Sequence, residues 1–257
     1  MDIIVFGQKY AVTEKTVSGR RDENQDSLLW AYRNGSKIEI NNNGVRFEEN
    51  NTCSELFMAA VCDGMGGMKD GAAASNTLVS VLTNWVKIAD CPDIEGYIES
   101  LKDAIRSAEQ IITENYPGSG TTIVLILGIN DCWYAFHIGD SRCYLTSENE
   151  YFRTVDQSPV EDLYQNGIIT EDDMIVHPMN NIISYYVGGN NVDMMVRDDL
   201  GGDWDSLTIC SDGAFGYMYP SEFKELVFGD AGAETIVDVA FEKGSKDNIS
   251  VVRIIRT

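Results

Sequence analysis

Apolar positions along the chain follow two different periods, and the places where the period changes mark out its elements. Consecutive or alternating apolar residues predict strands over 10–18, 26–32, 37–40 and 56–62. Residues 72–88 and 94–116 instead carry apolar side chains three and four apart: Ala74, Leu78, Val81, Leu82 and Trp85, then Ile98, Leu101, Ile105, Ala108 and Ile112. That spacing predicts two long helices, separated around Asp90-Cys-Pro92. Strands return over 121–128, 133–138, 142–146 and 151–154. A short polar helix over 160–166 then precedes an irregular stretch to 189. Strands over 192–197 and 206–211, helices over 221–228 and 234–243, and a strand over 249–255 complete the pattern. Asn34-Gly35 is a hairpin signal, whereas the Asn-rich segment 41–52 reads as a mobile surface loop. Long helices in adjacent pairs among hairpin-connected strands predict an α+β fold with helix pairs covering sheets, not regular parallel winding. No repeat or Pro/Gly-rich linker interrupts the chain, so a single domain over 1–257 is expected.

Composition narrows the function. Hydrophobic residues make up 44% of 257, enough for a sizeable core. The formal charge of −22, from 19 basic and 41 acidic residues, argues against nucleic-acid or anionic-membrane partners, which need basic patches. The six cysteines contain no C-x-x-C pair, and most lie in apolar runs, as reduced thiols do. No signal peptide or membrane-length apolar stretch is present, so a soluble, cytoplasmic protein is expected.

The acids that interrupt apolar runs carry the chemistry. Leu56-Phe-Met-Ala-Ala-Val-Cys-Asp63-Gly64 and Leu207-Thr-Ile-Cys-Ser-Asp212-Gly213 both end a strand-like run in Asp-Gly. Asp247 opens the last run and Asp140 follows Ala135-Phe-His-Ile-Gly139. An unpaired carboxylate at a buried strand end costs several kcal/mol or becomes protonated. Four of them ask for a shared cation, and oxygen ligands suit Mg²⁺ or Mn²⁺ better than zinc. Gly64 is read as permitting a sharp turn that lets a carboxylate and a backbone carbonyl face one ion. Competing motifs fail. Asp22-x-Asn24-x-Asp26 lacks the glycine and terminal Glu of a calcium loop, and Gly64-Met-Gly66-Gly67 lacks the Lys-Ser/Thr of a P-loop. His137 and His177 sit in no hydrolase or zinc-protease context.

The ordered set Arg21-x-x-Asn24-Gln25-Asp26, Asp63-Gly-Met-Gly-Gly67, Gly120-Thr-Thr122, Gly139-Asp-Ser-Arg142, Ser211-Asp-Gly213 and Lys246-Asp-Asn-Ile-Ser250 resembles the metal-dependent serine/threonine protein phosphatases of the PPM (type 2C) family, in bacterial style. Segments 154–158 and 166–181 resemble that family's flap, so a flap region over about 155–190 is expected. The likeness covers nearly the whole chain. It implies a four-layer αββα architecture with a central antiparallel β-sandwich, and two or three Mn²⁺ or Mg²⁺ ions at one end. Carried over by position, Asp63 bridges two ions, the Gly64 carbonyl binds one, and Asp212 and Asp247 complete the other's shell. Asp26 holds a metal-bound water and Asp140 joins Asp212 at a weaker third site. Arg21 clamps the substrate phosphate. The implied reaction is attack of a dinuclear-metal-activated water on phosphoserine or phosphothreonine in proteins, without a covalent intermediate. The implied partner is a phosphoprotein substrate of a serine/threonine kinase, met by a monomeric enzyme.

The sequence departs from the family pattern in places. Met65 stands where some relatives carry a His proposed as general acid, and Met68 where bacterial relatives often have His. Gln25 replaces an acid, and Tyr185 and Tyr186 occupy a flap segment that is usually more basic, which predicts altered substrate preference. His137 reads as a core residue, His177 as fixing the flap, and Ser141 and Arg142 as bracing the Asp140 turn. Two rivals stand beside this reading. One is a catalytically silent member binding a phosphoprotein or partner as a regulatory module; the other applies the same chemistry to a phosphorylated metabolite.

Overall fold

The computed structural model describes residues 1–66, 70–148 and 150–257. Gly67 and Met68, both singled out above, lie outside the described residues. The elements in order are β1 (Asp2–Val5), β2 (Gln8–Val17), β3 (Asp26–Arg33), β4 (Lys37–Asn42), β5 (Val45–Asn50), β6 (Leu56–Met65), α1 (Asp70–Ile88), α2 (Ile94–Asn115), β7 (Gly120–Thr121), β8 (Ile123–Ile129), β9 (Cys132–Ile138), β10 (Arg142–Thr146) and β11 (Tyr151–Arg153). Then come α3 (Pro159–Gln165), α4 (Glu171–Val176), β12 (Val196–Gly201), β13 (Ser206–Cys210), α5 (Pro220–Phe228), α6 (Ala233–Glu242) and β14 (Ile249–Arg256).

Two antiparallel sheets result. One runs β1-β2-β14-β13-β10-β11 and the other β12-β9-β8-β6-β3-β4-β5, with β7 beside the end of β6. Side chains on a strand alternate between faces, so each strand feeds two cores. In β6, Phe57, Ala59 and Val61 point between the sheets with Trp133, Trp204, Leu207 and Val252, while Met58, Ala60 and Cys62 point outward under α1 and α2. The other sheet meets α5 and α6 through Cys210, Ile249, Val251, Phe223, Ile236 and Ala240. Three cores separate four layers. The α+β, αββα architecture expected from the sequence is the one observed.

Four details differ from expectation. Segment 41–52 is not a loop: β4 extends to Asn42, β5 pairs with it, and Asn43 and Gly44 turn the hairpin with φ of 49° and 82°. This is the left-handed pair that Asn-Gly tolerates. Residues 192–194 form a helical turn, and the strand begins only at Val196. The stretch before 189 contains α4, capped by Thr170 and Asp173 bonding each other's backbone. The N-terminal strand β1, absent from the sequence reading, pairs with β2. All six cysteines are free. No helix among the described residues is long and apolar enough to cross a membrane.

Candidate active site

The strand alternation that builds the central core also aims the acids. Continuing β6 past Val61 puts Asp63 on the face between the sheets, and Asp26, two residues before Leu28, falls on the same face of β3. The two face each other across the β3–β6 pair. From the opposite sheet, Ser211 follows Ile209 by two residues and Ser250 precedes Val252 by two, so both point inward at the same end. Ser211 Oγ donates to Asp26 Oδ2 at 2.7 Å and accepts from the Ser250 amide at 3.0 Å. The next residue, Asp212, leaves the strand into a helical turn, which brings its carboxyl close to that of Asp63. Asp140 stands close enough to Asp212 to repel it, and Asp247 repels both Asp63 and Asp212. Five acids from distant parts of the sequence therefore share one end of the sandwich.

Glycine is required after two of these acids for a reason other than a turn. Gly64 is still within β6. A Cβ there would lie 2.2 Å from the Gly71 carbonyl oxygen and 2.6 Å from that of Gln25. At Gly213 a Cβ would lie 1.9 Å from the carbonyl oxygen of Asn248. Both Asp-Gly pairs mark a backbone carbonyl from another element pressed where a side chain would go, while the turn after β6 falls to Gly66 (φ 110°).

The electrostatics follow from the crowding. Burial first, and repulsion from Asp212 and Asp247 after it, raises Asp26 to about 7. Burial and Asp247 raise Asp212 to about 6. Asp63 and Asp140 are pushed well above the usual carboxylate range, burial again leading. Among the described residues, Asp26 Oδ1 and Asp212 Oδ1 are buried without a hydrogen-bond partner. The basic groups at hand are engaged: Arg21 Nη2 donates to Asp247 Oδ2 at 2.8 Å, and Arg142 makes a two-pronged bond to Asp156 at 2.8 and 2.7 Å. Orphaned carboxylate oxygens with too little positive charge around them fit hard divalent cations. Among the described residues no three His, Cys, Asp or Glu side chains close a cage by themselves. Mg²⁺ is commonly held by one or two carboxylates and completes its shell with water.

Of the supports around the acids, Thr121 and Thr122 carried no assigned role in the sequence reading. Asp63 is gripped through its backbone: its carbonyl accepts from the Thr122 amide at 2.8 Å and Thr121 Oγ1 at 2.9 Å, and its amide donates to Thr122 Oγ1. Thr122 Oγ1 also bonds Ser141 Oγ at 2.7 Å, tying the Asp140 turn to β8. Arg142, expected beside Ser141 to brace that turn, directs its bonds to Asp156 and Tyr144. A cavity of about 220 Å³ opens beside Asp140, Asp212 and Asp247, between helices α3 and α4 and the start of α5. Tyr185 and Tyr186 do not line it. Tyr185 packs on the helix-side core and Tyr186 against Gly120, because the strand-like bridge from Val187 to Thr121 turns that segment inward. His137 is buried with Nε2 on the Val155 carbonyl, and His177 Nδ1 accepts from the Met179 amide after α4.

No protein-family model matches the chain. Curated relatives do. It is 33% identical over 216 residues to protein phosphatase PhpP of Streptococcus pneumoniae, covering 77% of this chain and 85% of that protein. It is 30% identical over 214 residues to the serine/threonine phosphatase stp of Listeria innocua, covering 76% and 83%. Among solved structures, serine/threonine phosphatase Stp1 from Staphylococcus aureus superimposes with a TM-score of 0.78 at 24% identity, covering 99% of this chain and 98% of that one. The catalytic domain of PstP, solved with two manganese ions, superimposes at 0.71 with 23% identity over 96% and 97%.

Proposed function

The chain belongs to the PPM (type 2C) family of metal-dependent serine/threonine protein phosphatases, and from that premise we propose how its own residues hydrolyse phosphoserine and phosphothreonine in proteins. The observation that carries the assignment is the convergence of Asp26, Asp63, Asp140, Asp212 and Asp247 at one end of the sandwich, with Asp26 paired across the strands to Asp63 and held by Ser211 beside Asp212.

Asp63, Asp212, Asp247, Asp140 and the Gly64 carbonyl would hold two or three Mn²⁺ or Mg²⁺ ions. The chemistry such ions supply when bound is Lewis acidity toward phosphoryl oxygens and a water acidic enough to react near neutral pH. Asp26 has one oxygen fixed by Ser211 and the other unengaged, so it orients a water through Oδ1. Arg21, the exposed guanidinium at the rim, takes the phosphate, whose charge of about −1.5 to −2 at pH 7 matches its fork of donors. Its grip on the equatorial oxygens offsets charge that builds in the transition state. Met65 cannot donate a proton, so the leaving alkoxide takes its proton from water. A thiol route is disfavoured, because burial and the neighbouring Asp26 and Asp63 push the Cys62 thiol up, away from a reactive thiolate.

Further parts of the reading are proposals of the same kind. They are a single domain with a flap over about 155–190, a monomeric cytoplasmic enzyme, and a substrate phosphorylated by a serine/threonine kinase. A silent regulatory module has no need to gather five acids at one end of the sandwich, several of them costly to bury. Hydrolysis of p-nitrophenyl phosphate and of a phosphothreonine peptide should require Mn²⁺ and stop with EDTA. Clean, folded protein inactive in Mn²⁺ on both substrates overturns the reading.

A further inference from the structure

We infer that Asn248 is the positioning residue for the phosphate clamp: its side-chain amide holds the crossover loop that carries Arg21. The inference rests on the reading of Arg21 as the group that binds the substrate's phosphate.

The loop from Ser18 to Gln25 leaves β2 in one sheet and enters β3 in the other, crossing the end of the sandwich. It has no strand beside it, so its backbone groups need partners from elsewhere. One side chain supplies three of them. Asn248 Nδ2 donates to the Ser18 carbonyl at 3.0 Å and to the Glu23 carbonyl at 2.9 Å, and Asn248 Oδ1 accepts from the Gln25 amide at 2.8 Å. The bonds span both ends of the loop and enclose Arg21 between them. Asn248 is 5% exposed, so these bonds have little competition from water.

The chemistry of the three contacts selects the residue type. Two carbonyls and one amide demand two donors and one acceptor on a short planar group, and only asparagine offers that set at this length. Aspartate would set a carboxylate against two carbonyls, and a hydroxyl cannot reach all three. Arg21 itself needs such support. Its side chain is 58% exposed and, among the described residues, bonds only Asp247, so the direction of its guanidinium is set by where the loop holds its Cα. The Arg21 amide also bonds back to the Ser18 carbonyl at 3.0 Å, passing the constraint from Asn248 to Arg21 within one turn. A second contact keeps Asn248 in register: its carbonyl oxygen presses on Gly213, the residue after Asp212. The clamp is thereby referenced to the acid cluster.

The test is a double-mutant cycle on the full chain in Mn²⁺, using Arg21→Ala, Asn248→Ala and the pair. The readouts are the inhibition constant of inorganic phosphate, kcat and KM for a phosphothreonine peptide, and Mn²⁺ affinity by calorimetry. Arg21→Ala should weaken phosphate inhibition about tenfold or more. Asn248→Ala should weaken it by a similar factor and raise KM more than it lowers kcat, with Mn²⁺ affinity within about twofold of the parent. In the Arg21→Ala background, Asn248→Ala should cost almost nothing further, since residues acting through one contact are not additive. Fully additive losses, or an unchanged phosphate constant in Asn248→Ala, overturn the inference while leaving the phosphatase reading intact. An unchanged constant in Arg21→Ala overturns the clamp and the inference together. Should Asn248→Ala fail to fold, Asn248→Ser, which is neutral and too short to reach all three loop groups, takes its place in the cycle and is read the same way.

Discussion

Arg21 Nη2 lies 2.8 Å from Asp247 Oδ2, so the guanidinium assigned to the phosphate rests on a carboxylate assigned to an ion. The pair is half-exposed, with side chains 58% and 33% accessible, and such pairs contribute about 1 kcal/mol or less to stability. Its importance is as competition. Removing Arg21 should leave Mn²⁺ affinity equal or tighter, because Asp247 loses a rival cation, while turnover of phosphopeptide falls. Calorimetry on Arg21→Ala decides it, and markedly weaker Mn²⁺ binding would contradict the competition.

The repulsion between Asp63 and Asp212 predicts opposite effects on catalysis and on stability. Asp63→Asn and Asp212→Asn each remove a buried carboxyl that repels its neighbours. Each should lower kcat about a thousandfold or more, a loss near 4 kcal/mol. Each should also leave the melting temperature of the metal-free protein equal or higher. Thermal melts in EDTA beside steady-state assays in Mn²⁺ measure both.

A pH dependence of stability follows from the same acids. Burial and repulsion put Asp26 near 7 and Asp212 near 6, against 3.8 for an ordinary aspartate. Between pH about 4 and about 7 the metal-free folded protein thus binds more protons than the unfolded chain, and its stability falls as pH rises through that window. Divalent ions replace those protons, so Mn²⁺ affinity should increase over the same range and flatten the stability profile. Urea midpoints at pH 5 and pH 8 in EDTA test the sign, and a higher midpoint at pH 8 would refute it.

Arg142 and Asp156 form a two-pronged pair, both nearly buried, with the guanidinium 3.8 Å above the Phe215 ring. Asp156→Ala leaves a buried guanidinium without its partner and should cost about 3–5 kcal/mol in urea denaturation. Replacing both by apolar residues of similar size should recover most of the loss. If Asp156→Ala is neutral, the pair does not brace the Asp140 turn.

Much of this site was legible because the acids break the pattern of the strands that carry them. Leu56 to Cys62 alternates between two cores, and the same alternation continued one step aims Asp63 between the sheets. The misreadings have local causes. Segment 41–52 is polar because β5 is an edge strand exposed along its length, so polarity there did not mean a loop, and Asn43-Gly44 carried the missed hairpin signal. Helix α4 has six residues, too few for a helical period to emerge. The roles of Ser211, Thr122 and Asn248 left no trace of their own, since a polar residue looks the same wherever its bonds go.

The chain's order of apolar and polar residues by itself determined the strands, the long helices, which face each side chain takes, and a set of acids too costly to bury without cations. Only the tertiary structure decided which of them meet. Asp26 and Asp63 come from one sheet, Asp212 and Asp247 from the ends of strands in the other, and their meeting depends on how the sheets stack and where the crossover loop is held. It also decided why glycine follows Asp63 and Asp212: a foreign carbonyl oxygen fills the place of a side chain. Alternation along a strand is a local property of the backbone, whereas the approach of two sheets is a sum over many distant contacts that no short stretch of sequence contains.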